Sequence, residues 1–456
     1  VRTAMPQKEV AACPDVLKPG VEFKFKNRVL VPLWFDFYLP PETPAGRYQT
    51  QIKIQPEGGE ACTIPVTIEA TGLTLPQSAS LDTAFCFSEA WARAFYGRKT
   101  PPEKMRAYCA FILEHRLEPM NLWGGGEVDI GLDALDYGAQ HGKTMLFLPL
   151  THLDKNKDTY RELIQKYRGK LRPIFFGHDE VLLQNSPEKL ADMKKDFGIA
   201  QALFPDVPRL NTASVDERLF GYVDIWCPLF DHFNAADSAE RITRGEKVWW
   251  YPTDYPLAPY ANFNLDSPGI DARIIPWMNW KLNISGLLYW GLNREWLTNT
   301  PQEMKRITPE FIRQRSLDWL TPEVIRKISS GESRWPEMPW LPCFRSVMDA
   351  KSVSATNGGG NLFYPGPNWE PWPSMRLKNL RDGMQDYEYF IMLKKNADAL
   401  KTKNSTHPLL SQAQKALAID DGVLRGETRY TQDPEQLLAF RQELIRLVQE
   451  TGKVLR

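Results

Sequence analysis

The sequence predicts an α/β fold: a (β/α)8 barrel of the TIM type, preceded by a small β-sandwich domain and followed by a mostly helical extension. Three observations support this. Between residues 79 and 345, short apolar runs alternate with helical stretches, as in parallel strands closed into a barrel. Before residue 78 the apolar residues have a period of two, and after residue 346 they recur at helical spacing. We therefore predict a sandwich over 1–78, a barrel over 79–345 and an extension over 346–456 that packs on the barrel.

The predicted sandwich depends on three stretches of sequence. Residues 29–39 form a strand-like run, and residues 48–54 and 62–68 alternate apolar with polar side chains around a turn at 56–59. The last two stretches predict a hairpin. Three or four strands are fewer than the roughly seven of a complete sandwich. Either the domain is small or the chain begins partway into it.

The predicted barrel has eight strands. They lie at 82–87, 118–122, 144–150, 172–176, 209–212, 223–227, 247–251 and 286–290. Helices are predicted between them, among them 101–115, 155–167, 187–204 and 270–283. Ser186 before Pro187 is typical of a helix N-cap followed by a proline in the first turn. The short gap between the fifth and sixth strands leaves room for only a stunted helix.

The sequence of the extension predicts a loop at 357–360 (Asn-Gly-Gly-Gly), followed by three helices. Ser374 caps the first, in which apolar residues from Leu377 to Ile391 recur at helical spacing. The other two lie at 408–419 and 434–450. We expect these helices to cover the barrel rather than to form a separate functional domain.

Composition excludes several function classes. Lys and Arg number 56, as do Asp and Glu, so no net charge recruits nucleic acid or an anionic membrane. No apolar run is long enough to span a bilayer. The sequence starts at Val1 without a basic, apolar signal segment, so we expect that any export signal has been removed or never existed. The six cysteines lie far apart without Cys-x-x-Cys spacing, so neither a zinc site nor a disulfide framework follows. The sequence leaves the redox compartment and the oligomeric state open.

The strongest chemical signal is the pair Asp179-Glu180, which follows the apolar run 172–176 and Gly177-His178. Catalytic groups of barrel enzymes gather on the loops after the strands. Two adjacent, partly buried carboxyl groups cannot easily both ionise, so one is pushed toward the protonated form that a general acid needs. A second pair, Asp216-Glu217, has a structural explanation, because Ser214 and Glu217 have the spacing of a capping box.

Other strand ends carry residues suited to binding a sugar. Aromatic faces suit sugar rings, but each such residue could equally belong to the core, since side chains alternate along a strand. The candidate substrate-binding residues are His178, Trp123, Asn211, Trp226, Trp250, Tyr251, Tyr255, Tyr289, Trp290 and Asn293. The glycines at 124–126 lack the spacing and lysine of a phosphate loop and predict a turn. His178 has no second histidine cluster near it in sequence, so we expect no metal and no cofactor.

Several motifs in order resemble glycoside hydrolase family 123. They are the Gly-His-Asp-Glu of 177–180 and the segments 262–266, 277–281, 286–290, 362–366 and 375–389. The resemblance runs from about Trp34 to Tyr389. It implies a sandwich followed by a (β/α)8 barrel, and a β-N-acetylgalactosaminidase that retains configuration. It further implies substrate-assisted catalysis by an adjacent Asp and Glu, which match Asp179 and Glu180.

In the implied mechanism, Glu180 protonates the glycosidic oxygen and Asp179 binds the acetamido N–H. A tyrosine, Tyr251 or Tyr255, would donate to the acetamido oxygen. The implied partner is a glycan or glycoconjugate, and by analogy with other polymer-degrading glycosidases we expect a periplasmic or secreted enzyme. Two alternatives stay open: a barrel glycosidase with another sugar specificity, and a non-catalytic carbohydrate-binding protein.

Overall fold

The computed structural model describes residues 15–23, 31–122, 129–151, 153–305, 309, 321–332, 335–336, 340 and 357–456. The chain forms two compact units. The first takes in the chain up to Pro19, Ser78–Tyr387 and Asp421–Pro434, and the second takes in Gly20–Gln77, Glu388–Asp420 and Glu435–Arg456. The predicted domain boundaries stay a prediction.

The first unit is built on eight parallel strands, as the sequence predicts. The strands β1 (Gly46–Ile54) and β2 (Cys62–Ala70) form a hairpin earlier in the chain. The barrel strands are β3 (Asp82–Cys86), β4 (Pro119–Met120), β5 (Met145–Pro149), β6 (Arg172–Phe176), β7 (Arg209–Asn211), β8 (Ile225–Trp226), β9 (Lys247–Trp250) and β10 (Gly286–Tyr289). Their order in the sheet is β4-β3-β10-β9-β8-β7-β6-β5, which is that of a nearly closed (β/α)8 barrel. In the described chain no ladder joins β4 to β5, so the barrel has one seam.

Alternate residues of these strands fill the barrel. Side chains such as Ile174, Leu210 and Trp249 form one buried cluster inside, while Phe175, Trp226 and Val248 pack outward against the helices. Gly286 makes room for the largest interior side chain, because a Cβ at that position would lie 2.3 Å from the Trp249 ring. The interior is therefore a packed core, and chemistry is confined to the loops at the strand ends.

Buried charges lie across the seam. The Lys143 ammonium donates to the carbonyl of Pro119 in β4 (2.8 Å) and lies 3.4 Å from a Glu118 oxygen and 3.3 Å from an Asp129 oxygen. Glu118 also accepts from the amide of Thr144, just before β5, and Asp129 accepts from the amide of Phe147 within it. Side-chain bonds thus replace main-chain pairing between β4 and β5.

Helices surround the barrel and continue after it. They are α1 (Glu89–Tyr96), α2 (Pro102–Glu114), α3 (Leu132–Gly138), α4 (Leu153–Lys166), α5 (Pro187–Leu203), α6 (Ala235–Thr243), α7 (Gly269–Lys281), α8 (Pro301–Met304), α9 (Pro322–Ser330), α10 (Met375–Lys403), α11 (Pro408–Ala418) and α12 (Pro434–Leu455). The Ser186 cap is confirmed, since its side chain accepts from the amide of Lys189. Ser374 caps α10 in the same way, accepting from Leu377. Within the described residues, no helix has the length and apolar character that crossing a membrane requires.

The predicted capping box at Ser214 is wrong. Only a single 3₁₀ turn, Glu217–Leu219, occupies the gap between β7 and β8, as the short spacing requires. Its cap is Asp216, whose carboxylate accepts from the amide of Arg218 and pairs with that residue's guanidinium. Ser214 instead donates to the carbonyl of His232. The helix begins later than predicted because so short a connection leaves no room for a full first turn.

The second unit contains the predicted hairpin, β1 (Gly46–Ile54) paired antiparallel with β2 (Cys62–Ala70). Most of its side chains are exposed on both faces. The predicted strand over 29–39 is wrong for the described residues 31–39, which have no regular secondary structure. A strand needs a partner for its main-chain groups, and no ladder in the described chain includes this run. The helical part of this unit is α11, most of α12, and α10 from Glu388 onward.

A glycine-rich segment, residues 357–361, lies against the ends of β9 and β10. Gly360 donates its amide to the Tyr289 hydroxyl and its carbonyl accepts from Arg294. Gly358 is fixed on both sides: its amide donates to Glu295, and its carbonyl accepts from Arg376 of α10. Residues 357–361 and the start of α10 therefore hold loops of the barrel in place. The described part of the first unit also contains two short hairpins, β11 (Phe363–Pro365) with β12 (Pro371–Pro373) and β13 (Leu424–Gly426) with β14 (Arg429–Tyr430).

Candidate active site

The candidate site begins where β6 ends, because the chain turns sharply over residues 177–180. His178 and Glu180 have φ values of 53° and 50°. Residues other than glycine seldom adopt this left-handed conformation. Such strain persists only where neighbouring contacts hold it, and it is common at functional sites. Two residues at the end of β7 supply those contacts.

Asn211 fixes the main chain before the acidic pair. Its Nδ2 donates to the carbonyl oxygens of Gly177 and His178, each at 2.9 Å. The side chain is fully buried, and among the described residues its Oδ1 has no hydrogen-bond partner. The amide that the sequence suggested for substrate binding thus holds the turn that carries Asp179 and Glu180.

Thr212 contacts both acidic residues through a single hydroxyl. The Oγ1 atom donates to Oδ1 of Asp179 at 2.8 Å and accepts from the main-chain N–H of Glu180, also at 2.8 Å. Gln184 donates to the carbonyl of Asp179 at 2.6 Å from the following loop. Side chain and main chain of the pair are therefore both fixed.

Tyr251, just beyond β9, completes the constellation. Its hydroxyl donates to Oε1 of Glu180 at 2.6 Å. Burial, together with the nearby Glu180 carboxyl, raises the pKa of Tyr251 well above its ordinary value. The phenol therefore keeps its proton and acts as a donor across the physiological pH range.

Burial raises the pKa of Asp179 from its ordinary 3.8 to about 6, and the charge of Glu180 acts in the same direction, while the Thr212 hydrogen bond opposes it. The buried Cys227 thiol beside it also has a raised pKa, through burial and the Asp179 charge. The sequence predicts that one of the two adjacent carboxyl groups is more easily protonated. In the structure, the group with the raised pKa is Asp179.

A small pocket opens beside these groups. Its wall is polar at Thr212, Ser214, His232 and Tyr251, and apolar at Leu182, Leu183, Ala213 and Leu229. A buried carboxyl group, a phenolic donor and a small, partly apolar pocket lie together at the C-terminal end of the barrel. This arrangement can transfer a proton and can hold a small group that has both an apolar and a polar end.

Three other predicted residues lie near the loops at this end. The Nε2 atom of His178 lies 2.8 Å from Oδ2 of Asp196 in α5. Tyr255 is 46% exposed on the loop after β9. Trp290 is half-buried, and its ring lies against Gly360, where a Cβ would come within 2.5 Å of it.

The remaining predicted aromatic residues lie in packed layers. Trp226 is fully buried and donates to Glu246, and Trp250 is fully buried and donates to Asn279 of α7. Tyr289 is buried against Phe263 and accepts from Gly360. The structure does not bring these three to the pocket described above, because they occupy the strand positions that face away from the barrel interior.

Asn293 is also fully buried, and its amide group bonds both main-chain groups of Ser88. Trp123 and the 124–126 turn lie outside the described residues. Within the part of the chain that the structure describes, no three His, Cys, Asp or Glu side chains form a group that could hold a metal ion.

The residue that sequence reasoning missed is Thr212. It directly follows Asn211 at a predicted strand end, so position alone could have flagged it. Its importance comes from its hydrogen bond to Asp179 in the turn after β6, and the two residues are 33 positions apart in the chain. A threonine carries no charge and matched no motif, so nothing local distinguished it.

Comparisons with known proteins agree with the fold. A sequence profile described as the glycoside hydrolase 123 catalytic domain matches residues 120–393. Among curated proteins, none matches the chain. A solved family 123 glycoside hydrolase from Clostridium perfringens, studied for glycolipid glycan hydrolysis, aligns with a TM-score of 0.52 at 12% identity, over 91% of this chain and 77% of its own. At that identity, the likeness shows the shared fold alone.

A β-glucuronidase from Parabacteroides merdae, with glycerol in its active site, aligns with a TM-score of 0.31 at 12% identity, over 54% of this chain and 36% of its own. So low a TM-score supports no inference about this chain.

Proposed function

The chain belongs to glycoside hydrolase family 123, and from this premise we propose that it removes terminal β-linked N-acetylgalactosamine with retention of configuration, using the sugar's own acetamido group as nucleophile. The observation that supports the proposal most is the constellation at the end of β6 and β9. There the Tyr251 hydroxyl donates to Glu180 at 2.6 Å, and the Thr212 hydroxyl bonds both Asp179 and the Glu180 main chain at 2.8 Å. Tyr251 and Thr212 also line one small pocket.

The first step forms a ring within the substrate. The acetamido oxygen attacks the anomeric carbon, the glycosidic C–O bond breaks, and Glu180 gives its proton to the departing oxygen. No enzyme carboxylate bonds to the sugar, which distinguishes this route from the usual two-carboxylate scheme. In the second step water attacks the anomeric carbon, Glu180 takes a proton from it, and the ring opens to restore the acetamido group.

Asp179 accepts from the acetamido N–H and balances the positive charge that develops on the oxazolinium ring. It must be ionised to do so, and the raised pKa of about 6 leaves it ionised at neutral pH. The pocket lined by Leu182, Ala213 and Leu229 suits the acetamido methyl group. On substrate binding, the Tyr251 hydroxyl turns from Oε1 of Glu180 to the acetamido oxygen and so frees the acid.

One observation favours a second reading. Because the carboxyl group with the raised pKa is Asp179 and a raised pKa suits a proton donor, Asp179 could carry the proton while an enzyme carboxylate acts as nucleophile or base. That glycosidase would need no acetamido group and would accept a different sugar.

Matched nitrophenyl β-galactosides separate the two readings. We expect rapid cleavage when position 2 carries an acetamido group and almost none when it carries a hydroxyl, because the latter lacks the nucleophile. A thiazoline analogue of the cyclised intermediate should bind much more tightly than the parent sugar. Efficient cleavage of the 2-hydroxyl substrate, with a 2-fluoro sugar becoming attached to a carboxylate, would establish the second reading. Since the Clostridium perfringens relative is described with glycolipid glycans, such a glycan is the first natural substrate to test.

A further inference from the structure

We propose that Thr212 is a positioning residue for both acidic residues, holding the Asp179 carboxylate and the Glu180 main chain with one hydroxyl. The inference rests on the proposed function for its kinetic consequences, but its geometry does not depend on which sugar is cleaved. Thr212 is 3% exposed and lies just beyond β7, which ends at Asn211. It is therefore held by the barrel rather than by a mobile loop.

The direction of each hydrogen bond follows from the chemistry of the groups. The main-chain N–H of Glu180 can only donate, so the Thr212 oxygen accepts from it at 2.8 Å. The hydroxyl has one hydrogen, and the 2.8 Å contact commits it to Oδ1 of Asp179. With Oδ1 occupied by Thr212, Oδ2 is the oxygen placed to accept from a substrate N–H.

The same hydroxyl also helps to hold the strained turn. Glu180 has a φ of 50°, and its N–H is fixed by Thr212 while the two preceding carbonyls are fixed by Asn211. Without the Thr212 bond, the Glu180 main chain would be free to relax toward ordinary dihedral angles. That change would turn its carboxyl group away from Tyr251.

The electrostatic surroundings give Thr212 a measurable signature. Glu180, Cys227 and Tyr251 face Asp179, and each can carry only a negative charge or none. Among the groups that act on the pKa of Asp179, the Thr212 hydrogen bond lowers it, while burial and Glu180 raise it. Removing the hydroxyl should therefore move the ionisation of Asp179 to higher pH.

The test compares Thr212→Val, which keeps the shape and loses the hydroxyl, with Thr212→Ser, which keeps the hydroxyl. Thr243→Val is the matched control, because within the described chain the Thr243 hydroxyl bonds only the carbonyl of Glu240, at the exposed end of α6. For Thr212→Val we expect kcat on the acetamido substrate to fall at least about tenfold and the acid limb of kcat/KM to rise by about one pH unit, the strength of one hydrogen bond to a charged group. Thr212→Ser should keep kcat and the acid limb close to their wild-type values, and Thr243→Val should change neither quantity.

A substrate-free measurement separates this inference from the proposed function. The free energy of unfolding, measured in urea from pH 4 to 8, should fall as Asp179 ionises, and in Thr212→Val the fall should extend to higher pH. If the wild type is inactive on acetamido sugars but the unfolding titration is still shifted in Thr212→Val, the proposed function is wrong and the positioning role stands. An active wild type whose acid limb and unfolding titration are both unchanged in Thr212→Val would overturn the positioning role.

Discussion

Tyr251 and Glu180 lie 71 residues apart in the chain, yet the Tyr251 hydroxyl is 2.6 Å from Oε1 of Glu180. One residue stands at the end of β9 and the other in the turn after β6. The closed barrel brings both to the same end, and the strained turn directs the carboxyl group across to the phenol. This bond joins the proposed general acid to the proposed acetamido donor.

Tyr251→Phe tests that bond directly. The ring and its packing remain, but the acid and the acetamido oxygen lose their shared donor. We expect kcat on nitrophenyl N-acetylgalactosaminide to fall roughly 10²-fold, as when one preorganised donor is removed from an active site. Tyr38→Phe is the control, since Tyr38 is 81% exposed in the second unit. An unchanged kcat in Tyr251→Phe would remove this hydroxyl from the reaction.

Glu180→Gln tests the acid. Substrates with poor leaving groups need protonation of the departing oxygen, whereas nitrophenyl glycosides need little. General acid catalysis contributes about 10² to 10⁴ in rate, so natural-type substrates should lose far more activity than nitrophenyl ones. Steady-state kinetics on both substrate types give the answer, and equal losses on the two would exclude Glu180 as the proton donor.

Asp179→Asn should gain stability as it loses turnover. The pKa of Asp179 is about 6 in the folded protein against an ordinary 3.8, so between these values the folded state binds a proton that the unfolded state releases. Stability contributed by this group is therefore present below about pH 4 and lost as pH rises through 6. In urea unfolding, Asp179→Asn should exceed wild type at pH 7.5 and match it near pH 4. Asp192→Asn, on the exposed face of α5, should show no such difference; a pH-independent effect at Asp179 would contradict the raised pKa.

Lys143→Met tests the seam between β4 and β5. The ammonium is completely buried with Glu118 and Asp129, so its removal leaves two buried carboxyl groups without their cation. We expect a loss of about 3 to 5 kcal/mol in the free energy of unfolding at pH 7.5. Burial raises the pKa of both carboxyl groups, so they can take up protons as pH falls, and the loss should be smaller at pH 5.

The control for this change is Lys166→Met, which removes the half-exposed pair between Lys166 and Asp136. Exposed pairs contribute at most about 1 kcal/mol. If the two variants lose similar stability, side-chain bonds do not close the seam.

Gly360→Ala should damage the segment at the barrel end. Gly360 has a φ of 75°, and a Cβ there would lie 2.5 Å from the Trp290 ring. The added methyl group must displace the ring, so we expect lower stability and weaker substrate binding, seen as a higher KM. Gly198→Ala is the matched control, because Gly198 lies in α5 with open space around it and should gain up to about 1 kcal/mol. Equal stability of both variants would show that Trp290 moves freely.

The sequence by itself determined the order of strands and helices, the acidic pair at a strand end and the Ser186 cap. These depend on local signals: hydrophobic period, turn residues and capping side chains. Predictions from local signals were wrong where an element also depends on a pairing strand or on the length of a connection. Residues 31–39 have a strand-like pattern but no ladder in the described chain, and Ser214 has a capping-box spacing in a connection too short for it.

Only the tertiary structure decided which face of each strand meets the site. Trp249 and Trp250 are neighbours, yet the first lies inside the barrel and the second donates to α7. Side chains alternate along a strand, but the phase of that alternation is set by how the strands pair on closing the barrel. The same closure places Thr212 on Asp179 and Tyr251 on Glu180. These contacts join residues far apart in the chain, so no local pattern could specify them.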